Sequence, residues 1–323
     1  MGWWQINADT LARGRFTVSP LAETTAALKT LHRATATHPG ERAWLDAHLP
    51  AYRRHLAADP VTAQLIHAAL GPRWNATFLT PTPSGDDATF PAELTRVRTT
   101  PPATARTDLL ESLGRPLPAT LHRDDLPHRA ADLLTWAWTH TVHPTWPRRR
   151  RIIEADIVAR TTHLGDGGWA TALHDMRPGM RWLGDDRLQI TTHDHPPRHL
   201  THAHLLFVPV THHQTWLTWD DAHQRSAVIY PCTATLTEPG SPPAPHTLHA
   251  LLGPARATVL LLLDTPKTTT QLVALTGQGL GSIGRHLKIL RNAHLIQRRR
   301  TGRSVLYHRT PTGDALVHAQ ENP

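Results

Sequence analysis

Gly281–Thr310, "GSIGRHLKILRNAHLIQRRRTGRSVLYHRT", holds the pattern on which the fold turns. Leu280, Ile283, Leu287 and Leu290 recur at intervals of three, four and three, which is one stripe of an α-helix. The opposite face carries Gly281, Ser282, Gly284, Arg285 and Lys288: small residues, then cations. Upstream, "TTTQLVALTG" (Thr268–Gly277) reads as a second helix. Thr268 or Thr269 can cap it, Leu272, Val273 and Leu275 point inward, and Gly277 ends it. Two helices joined by a glycine turn, the second with a small and basic outer face, make a helix-turn-helix. Downstream, Ile296–Arg300 and Ser304–Arg309 alternate about Thr301-Gly302-Arg303 as a β-hairpin. An arginine-bearing ribbon beside such a helix predicts a winged helix, with a recognition helix over 280–292 for the major groove and a wing over 296–309 for the phosphate backbone. The candidate DNA contacts are Gly281, Ser282, Gly284, Arg285 and Lys288 on the helix and Arg298, Arg299, Arg300, Arg303 and Tyr307 on the wing.

The distribution of charge agrees. The formal net charge is +8 over 323 residues. From His246 onward there are ten lysines and arginines against three acids, whereas the rest of the chain is nearly balanced at 24 to 23. Such asymmetry is the footprint of a polyanion-binding module, here double-stranded DNA. A single cysteine, Cys232, excludes an intrachain disulfide framework and a thiolate-rich metal site. The N-terminus "MGWWQINADT" lacks a basic, apolar leader, and the longest apolar run, Thr258–Leu263, is far short of the ~20 residues of a membrane span. The expectation is a soluble, cytoplasmic protein without membrane contact.

The remainder reads as α+β. "PLAETTAALKTLH" (Pro20–His32) is helical, with Ser19 as N-cap and Pro20 at the first position. Helical signals recur through "ERAWLDAHLPAYRRHL", "PVTAQLIHAAL", "HRAADLLTWAWTHTV" and "RRRRIIEADIVARTTHL". Residues 77–105, rich in Pro, Thr and Ser, read as an irregular connection. "MRWLGDDRLQITT" predicts a hairpin turning at Gly184-Asp185-Asp186, and "HLLFVPV", "TWLTWD" and "RSAVIYPC" are of strand length. The expected organisation is an α+β domain over 1–240 for dimerisation or effector binding, a linker over 241–247, and the winged helix over 248–323.

Residues Leu251 to about Leu316 resemble the winged helix of the ArsR-type bacterial repressors, through Arg285-His286-Leu287-Lys288 with Leu290, Leu295-Ile296 and the Gly302-Arg303 wing. The first 240 residues, with "WPRRRRIIEADIVAR" and "MRWLGDD", are similar to an uncharacterised domain that precedes such a winged helix in regulators of high-GC bacteria. The resemblance implies a homodimeric, operator-binding transcriptional regulator, read here as a repressor. Three departures stand out. The cysteine-rich signature of metal-sensing members is missing, Gly279, Gly281 and Gly284 stand where the family has serine or threonine, and His294 replaces a glycine.

Other features have plainer readings. Arg148–Arg151 reads as an exposed helix face. The histidines His193, His195, His199, His202, His204, His212 and His213 invite a metal, but 25 histidines are scattered through the chain and no H-E-x-x-H helix accompanies them, so no metal and no cofactor are expected. Eleven tryptophans suggest packing, or an aromatic-lined pocket for a small-molecule effector. Trp136 and Trp138 lie two apart on a helix, so only one should face the core squarely. Glu154 and Asp156 point away from each other, and no nucleophile or phosphate-loop motif appears, which argues against an enzyme. The alternatives are an enzyme or small-molecule-binding protein with a DNA-binding tail, or a nonspecific nucleoid-type protein.

Overall fold

The computed structural model describes the chain except residues 1, 38, 72–73, 84–87, 174–175, 192–196, 201–202, 233–245, 264–265, 302–303 and 320–323. The chain forms two compact units, Met1–Pro147 with Arg160–Cys232, and Arg148–Ala159 with Thr233–Pro323. The class is α+β, as the sequence reading has it. Among the described residues no helix is long and apolar enough to cross a membrane.

The first unit is built on strands β1 (Gly2–Gln5), β2 (Arg15–Phe16), β3 (Arg181–Gly184), β4 (Arg187–Thr191), β5 (Arg198–His199), β6 (His204–Val210), β7 (Trp216–Asp220) and β8 (Arg225–Pro231). They make two four-stranded sheets, ordered β3-β4-β1-β5 and β2-β6-β8-β7. The hairpin between β3 and β4 turns at Asp185 and Asp186, both with positive φ of 47° and 56°, the primed turn that right-twisted strands favour. β6 and β8 pair in parallel and are buried on both faces. Leu205, Phe207, Val228 and Tyr230 face a cluster with Trp4, Ile6 and Leu188, while Leu206, Val208, Ala227 and Ile229 face Ala22, Ala26 and Trp216. This two-sided burial explains why β6 and β8 read as continuous apolar runs rather than alternating ones.

Helices α1 (Ala8–Ala12), α2 (Pro20–Arg33), α3 (Pro39–Ala58), α4 (Pro60–Ala69), α5 (Phe90–Arg98), α6 (Pro102–Leu113) and α7 (Leu126–Ala137) complete this unit. The Ser19 hydroxyl accepts from Ala22 N at 3.0 Å and Pro20 opens α2, as the sequence predicts. α2 is the central helix: Ala22 and Ala26 pack on the sheet, and Leu21, Leu28 and Leu31 pack into the helical core. Its buried acid Glu23 accepts from Thr211 N at 2.7 Å. Glu93 on α5 accepts from Ser19 Oγ at 2.8 Å and Leu21 N at 2.9 Å. Lys29 is 2% exposed and sits over the ring of Trp216, with Nζ 4.7 Å from the centroid. A desolvated cation–π contact offers about 2 kcal/mol. Taking an ammonium out of water costs several. The burial of Lys29 therefore carries a net electrostatic cost.

Residues 77–105, of which 84–87 lie outside the described residues, are largely not an irregular connection. They hold a 3₁₀ turn at Thr77–Leu79, then α5 and the first turn of α6. Thr89 caps α5, and Phe90, Leu94 and Val97, at helical spacing, are buried in the core. The prolines that suggested a loop, Pro91 and Pro102, stand at the first turns of α5 and α6, where the missing N–H costs nothing. Trp136 and Trp138 are both half-buried. Trp136 stacks on His55 at 4.8 Å, and Trp138, at the start of a π-helical turn, stacks on Phe90 at 4.6 Å.

α8 (Trp146–Leu173) contributes Arg148–Ala159 to the second unit, a segment assigned above to the N-terminal domain. Ala155 joins the second unit's core with Leu248, Leu260, Leu272 and Leu287. The expectation of an exposed arginine face fails in part. Arg149 is fully buried. Arg150 pairs with Glu154 at 2.8 Å, and Arg151 lies at the end of the helix that Gly277 caps. Asp156 is buried where Glu154 is exposed, so the two carboxylates do point apart.

Candidate nucleic-acid interface

The second unit continues with α9 (His246–Leu252), α10 (Pro254–Leu262), α11 (Thr269–Thr276), α12 (Leu280–Asn292), strands β9 (Ile296–Thr301) and β10 (Ser304–Arg309), and α13 (Pro311–His318). Of the linker 241–247, residues 241–245 lie outside the described residues. α11 opens on a complete capping box: Gln271 N donates to the Thr268 hydroxyl at 3.2 Å and Thr268 N donates to Gln271 Oε1 at 2.7 Å. Gly277 closes it at φ 70°, a left-handed position that suits glycine. The Arg151 guanidinium beside Gly277 places positive charge at the negative end of α11.

α12 coincides with the helix read from the sequence. Ile283, Leu287 and Leu290 are buried. Gly281, Gly284, Arg285, Lys288, Ile289 and Asn292 are exposed along the outer face. The chain leaves this helix through His294, left-handed at φ 56°. A β-carbon built on Gly281 or Gly284 would meet nothing within 4 Å. Neither glycine is thus explained by packing against the described residues of the unit.

Ser282 departs from its expected role. Its hydroxyl donates to Gln278 Oε1 at 3.1 Å and lies 3.2 Å from His286 Nε2, which is itself 3.1 Å from Gln278 Oε1. The half-buried hydroxyl is tied into this cluster rather than turned outward with Arg285. Burial, followed by the charges of Arg256 and Arg285, lowers the pKa of His286. The 278, 282, 286 spacing, one residue per turn, was the signal in the sequence for this cluster.

The hairpin pairs Arg300 with Val305, Arg299 with Leu306 and Arg298 with Tyr307. Alternation therefore puts Arg298 and Arg300 on one face of the ribbon and Arg299 on the other. All three are exposed. Tyr307, expected to contact DNA, is half-buried, with its ring packed against the apolar core. Its backbone exchanges hydrogen bonds with Lys267, at 2.9 and 2.8 Å, which ties the ribbon to the start of α11. Arg303 and Gly302 lie outside the described residues. Arg309 pairs with Asp314 at 2.9 Å.

Where α12 ends and β9 begins, Arg291, Asn292, His294, Gln297, Arg298 and Thr310 line an open groove of about 520 Å³. The groove is not apparent in the sequence, because it forms only where His294 turns the chain between α12 and β9. Thr310 ties this corner together, its hydroxyl donating to His294 O at 2.7 Å and its N to Leu295 O at 3.0 Å. Gly313 fits beneath: a β-carbon there would lie 2.1 Å from Leu295 O. Gly313→Ala is expected to destabilise the unit by about 2–4 kcal/mol through this clash, read as a lower denaturation midpoint. An unchanged midpoint would mean that the corner relaxes freely.

Among the described residues the histidines do not assemble a centre. His193, His195 and His202 lie outside the described residues, His199 packs edge-on to Trp3 at 6.2 Å, and His212 is buried against Glu41 at 3.4 Å. Among the described residues no group of three or more His, Cys, Asp or Glu could hold a metal ion.

Residues 254–298, which run from α10 into β9, match the family described as "Bacterial regulatory protein, arsR family". No curated protein and no solved structure matches the chain. The matched segment supplies an ArsR-family helix-turn-helix domain and does not extend into the first unit.

Proposed function

We propose that the chain, whose residues 254–298 form the helix-turn-helix of a DNA-binding transcriptional regulator, is a homodimeric repressor that acts by binding and not by turnover. The observation that carries this reading is the outer face of α12. Arg285 and Lys288 project beside two glycines that no described residue covers, and the arginine-bearing ribbon follows directly. α12 enters the major groove, where arginine to guanine is the commonest specific contact. The β9–β10 ribbon lies as a wing on the sugar–phosphate backbone and positions the helix without reading bases. With Ser282 held by Gln278 and His286, base readout falls chiefly to Arg285 and Lys288, with Asn292 and the apolar Ile289 on the same exposed face. A two-fold dimer would read two half-sites about one helical turn apart.

The test is the Arg285→Ala variant on operator fragments selected from genomic DNA by the full-length protein. The expected loss is about 1–3 kcal/mol on the operator and little on random DNA, by fluorescence anisotropy. Equal losses on both would assign Arg285 to the backbone and favour a nonspecific, nucleoid-type protein.

A further inference from the structure

The groove at the corner between α12 and β9 gathers side chains that the fold leaves unused. It is open and holds about 520 Å³. Arg291, Asn292, Gln297 and Arg298 line it, and among the described residues no hydrogen bond or ion pair engages any of these four side chains. Arg309, close by in sequence but outside the lining, pairs with Asp314 at 2.9 Å. The lining itself contains no carboxylate, so both of its guanidinium charges stand uncompensated there. His294 completes the wall. Its backbone is left-handed at φ 56°, a conformation that glycine holds without strain and that a β-carbon makes less favourable. The imidazole is thus brought to the groove by a residue that works against local stability.

Each part of this wall selects for a kind of ligand. A guanidinium grips an oxyanion through two parallel N–H donors. Two of them match the nearly two negative charges of a phosphate monoester, where a carboxylate or a phosphodiester carries one. The carboxamides of Asn292 and Gln297 both donate and accept, which suits a body rich in hydroxyls or carbonyls. The volume is that of a small-molecule site and leaves room beyond a phosphate. We propose that this groove binds a small phosphorylated metabolite, with Arg291 and Arg298 on the phosphate and Asn292, His294 and Gln297 on its polar body. Arg298 also belongs to the ribbon read above as a wing, so an occupied groove leaves one cation fewer for the DNA backbone. That consequence rests on the DNA-binding reading, and the binding itself does not. With the ligand bound, DNA affinity falls and the slope of log affinity against log salt flattens by about 0.9.

The test is isothermal calorimetry of the full-length protein without DNA, at constant ionic strength. The probes are ribose 5-phosphate and inorganic phosphate, with ribose as the control. Saturable binding of at least one phosphate probe is expected, and none of ribose. Arg291→Gln should weaken it by about tenfold or more, as the loss of a charged donor group predicts. Gln297→Ala, at an exposed strand position, should weaken it a few-fold and carries the test if Arg291→Gln fails to fold. His294→Gly should weaken binding while raising Tm, opposite signs that a purely structural role would not give. The Arg299→Ala, Arg300→Ala double variant should bind the probes as the wild type does. A wild type that binds neither probe would overturn the proposal, and a loss of affinity for every DNA sequence in Arg291→Gln would then assign the groove to a backbone phosphate. Binding that survives in both Arg291→Gln and Gln297→Ala, or that falls equally in the wing variant, would overturn it as well. The two readings fail separately, because equal affinity for selected and scrambled DNA would sink the regulator and leave these titrations unchanged.

Discussion

Replacing Arg298, Arg299 and Arg300 together with alanine is expected to weaken binding to every DNA sequence by roughly 10- to 100-fold at moderate salt. Each arginine that neutralises a phosphate releases a counterion and contributes about 0.9 to the slope of log affinity against log salt, so the variant should lose close to 2.7 of that slope. The register divides the cost. Arg298 and Arg300 share a face of the ribbon, and Arg299 is on the other. If both faces reach phosphates on either side of a groove, Arg299→Ala and the Arg298→Ala, Arg300→Ala pair each flatten the slope in proportion to the cations removed. The discrimination between operator and random DNA should hardly change, because backbone contacts carry no base information. Titrations at several salt concentrations decide the matter. An unchanged slope in the triple variant would make the ribbon a solvated surface.

The second large effect has opposite signs on stability and on binding. Gly281 and Gly284 lie inside α12, where a glycine costs roughly 1 kcal/mol of helix stability relative to alanine. A β-carbon would meet open space at both positions, so Gly281→Ala with Gly284→Ala should stabilise the fold by about 1–2 kcal/mol, seen as a higher Tm. The same change should lower operator affinity, because a bare helix face lets the backbone approach the floor of the groove more closely than a methylated one does. A variant that is more stable and binds as well as the wild type would show that this face does not touch DNA.

Legibility in the sequence followed the range of the forces involved. The stripe Leu280, Ile283, Leu287 and Leu290, the cap at Thr268, the stop at Gly277 and the turn at Asp185-Asp186 are local, and each was readable because neighbours within a few residues decide it. Pro91 and Pro102 misled because a proline that opens a helix and one that interrupts it look alike until the buried partners of Phe90 and Leu94 are known. Nothing near Arg149 in sequence announces its burial. Within the DNA-binding unit, Arg285 and Lys288 stand on the face the helical period gives them. Ser282 is tied back by Gln278 and His286, and Tyr307 packs partly against the core, so both show how a side chain of the right type can be engaged by a neighbour.

The most direct measurement of the central claim is the ratio of affinities of the full-length protein for a genomically selected fragment and for a scrambled fragment of the same length. Both are read by anisotropy at physiological salt. A sequence-specific regulator predicts a ratio of at least about 10³, with the selected sites carrying two related half-sites. A ratio within a few-fold of unity would contradict it and leave a basic module that binds DNA by charge alone.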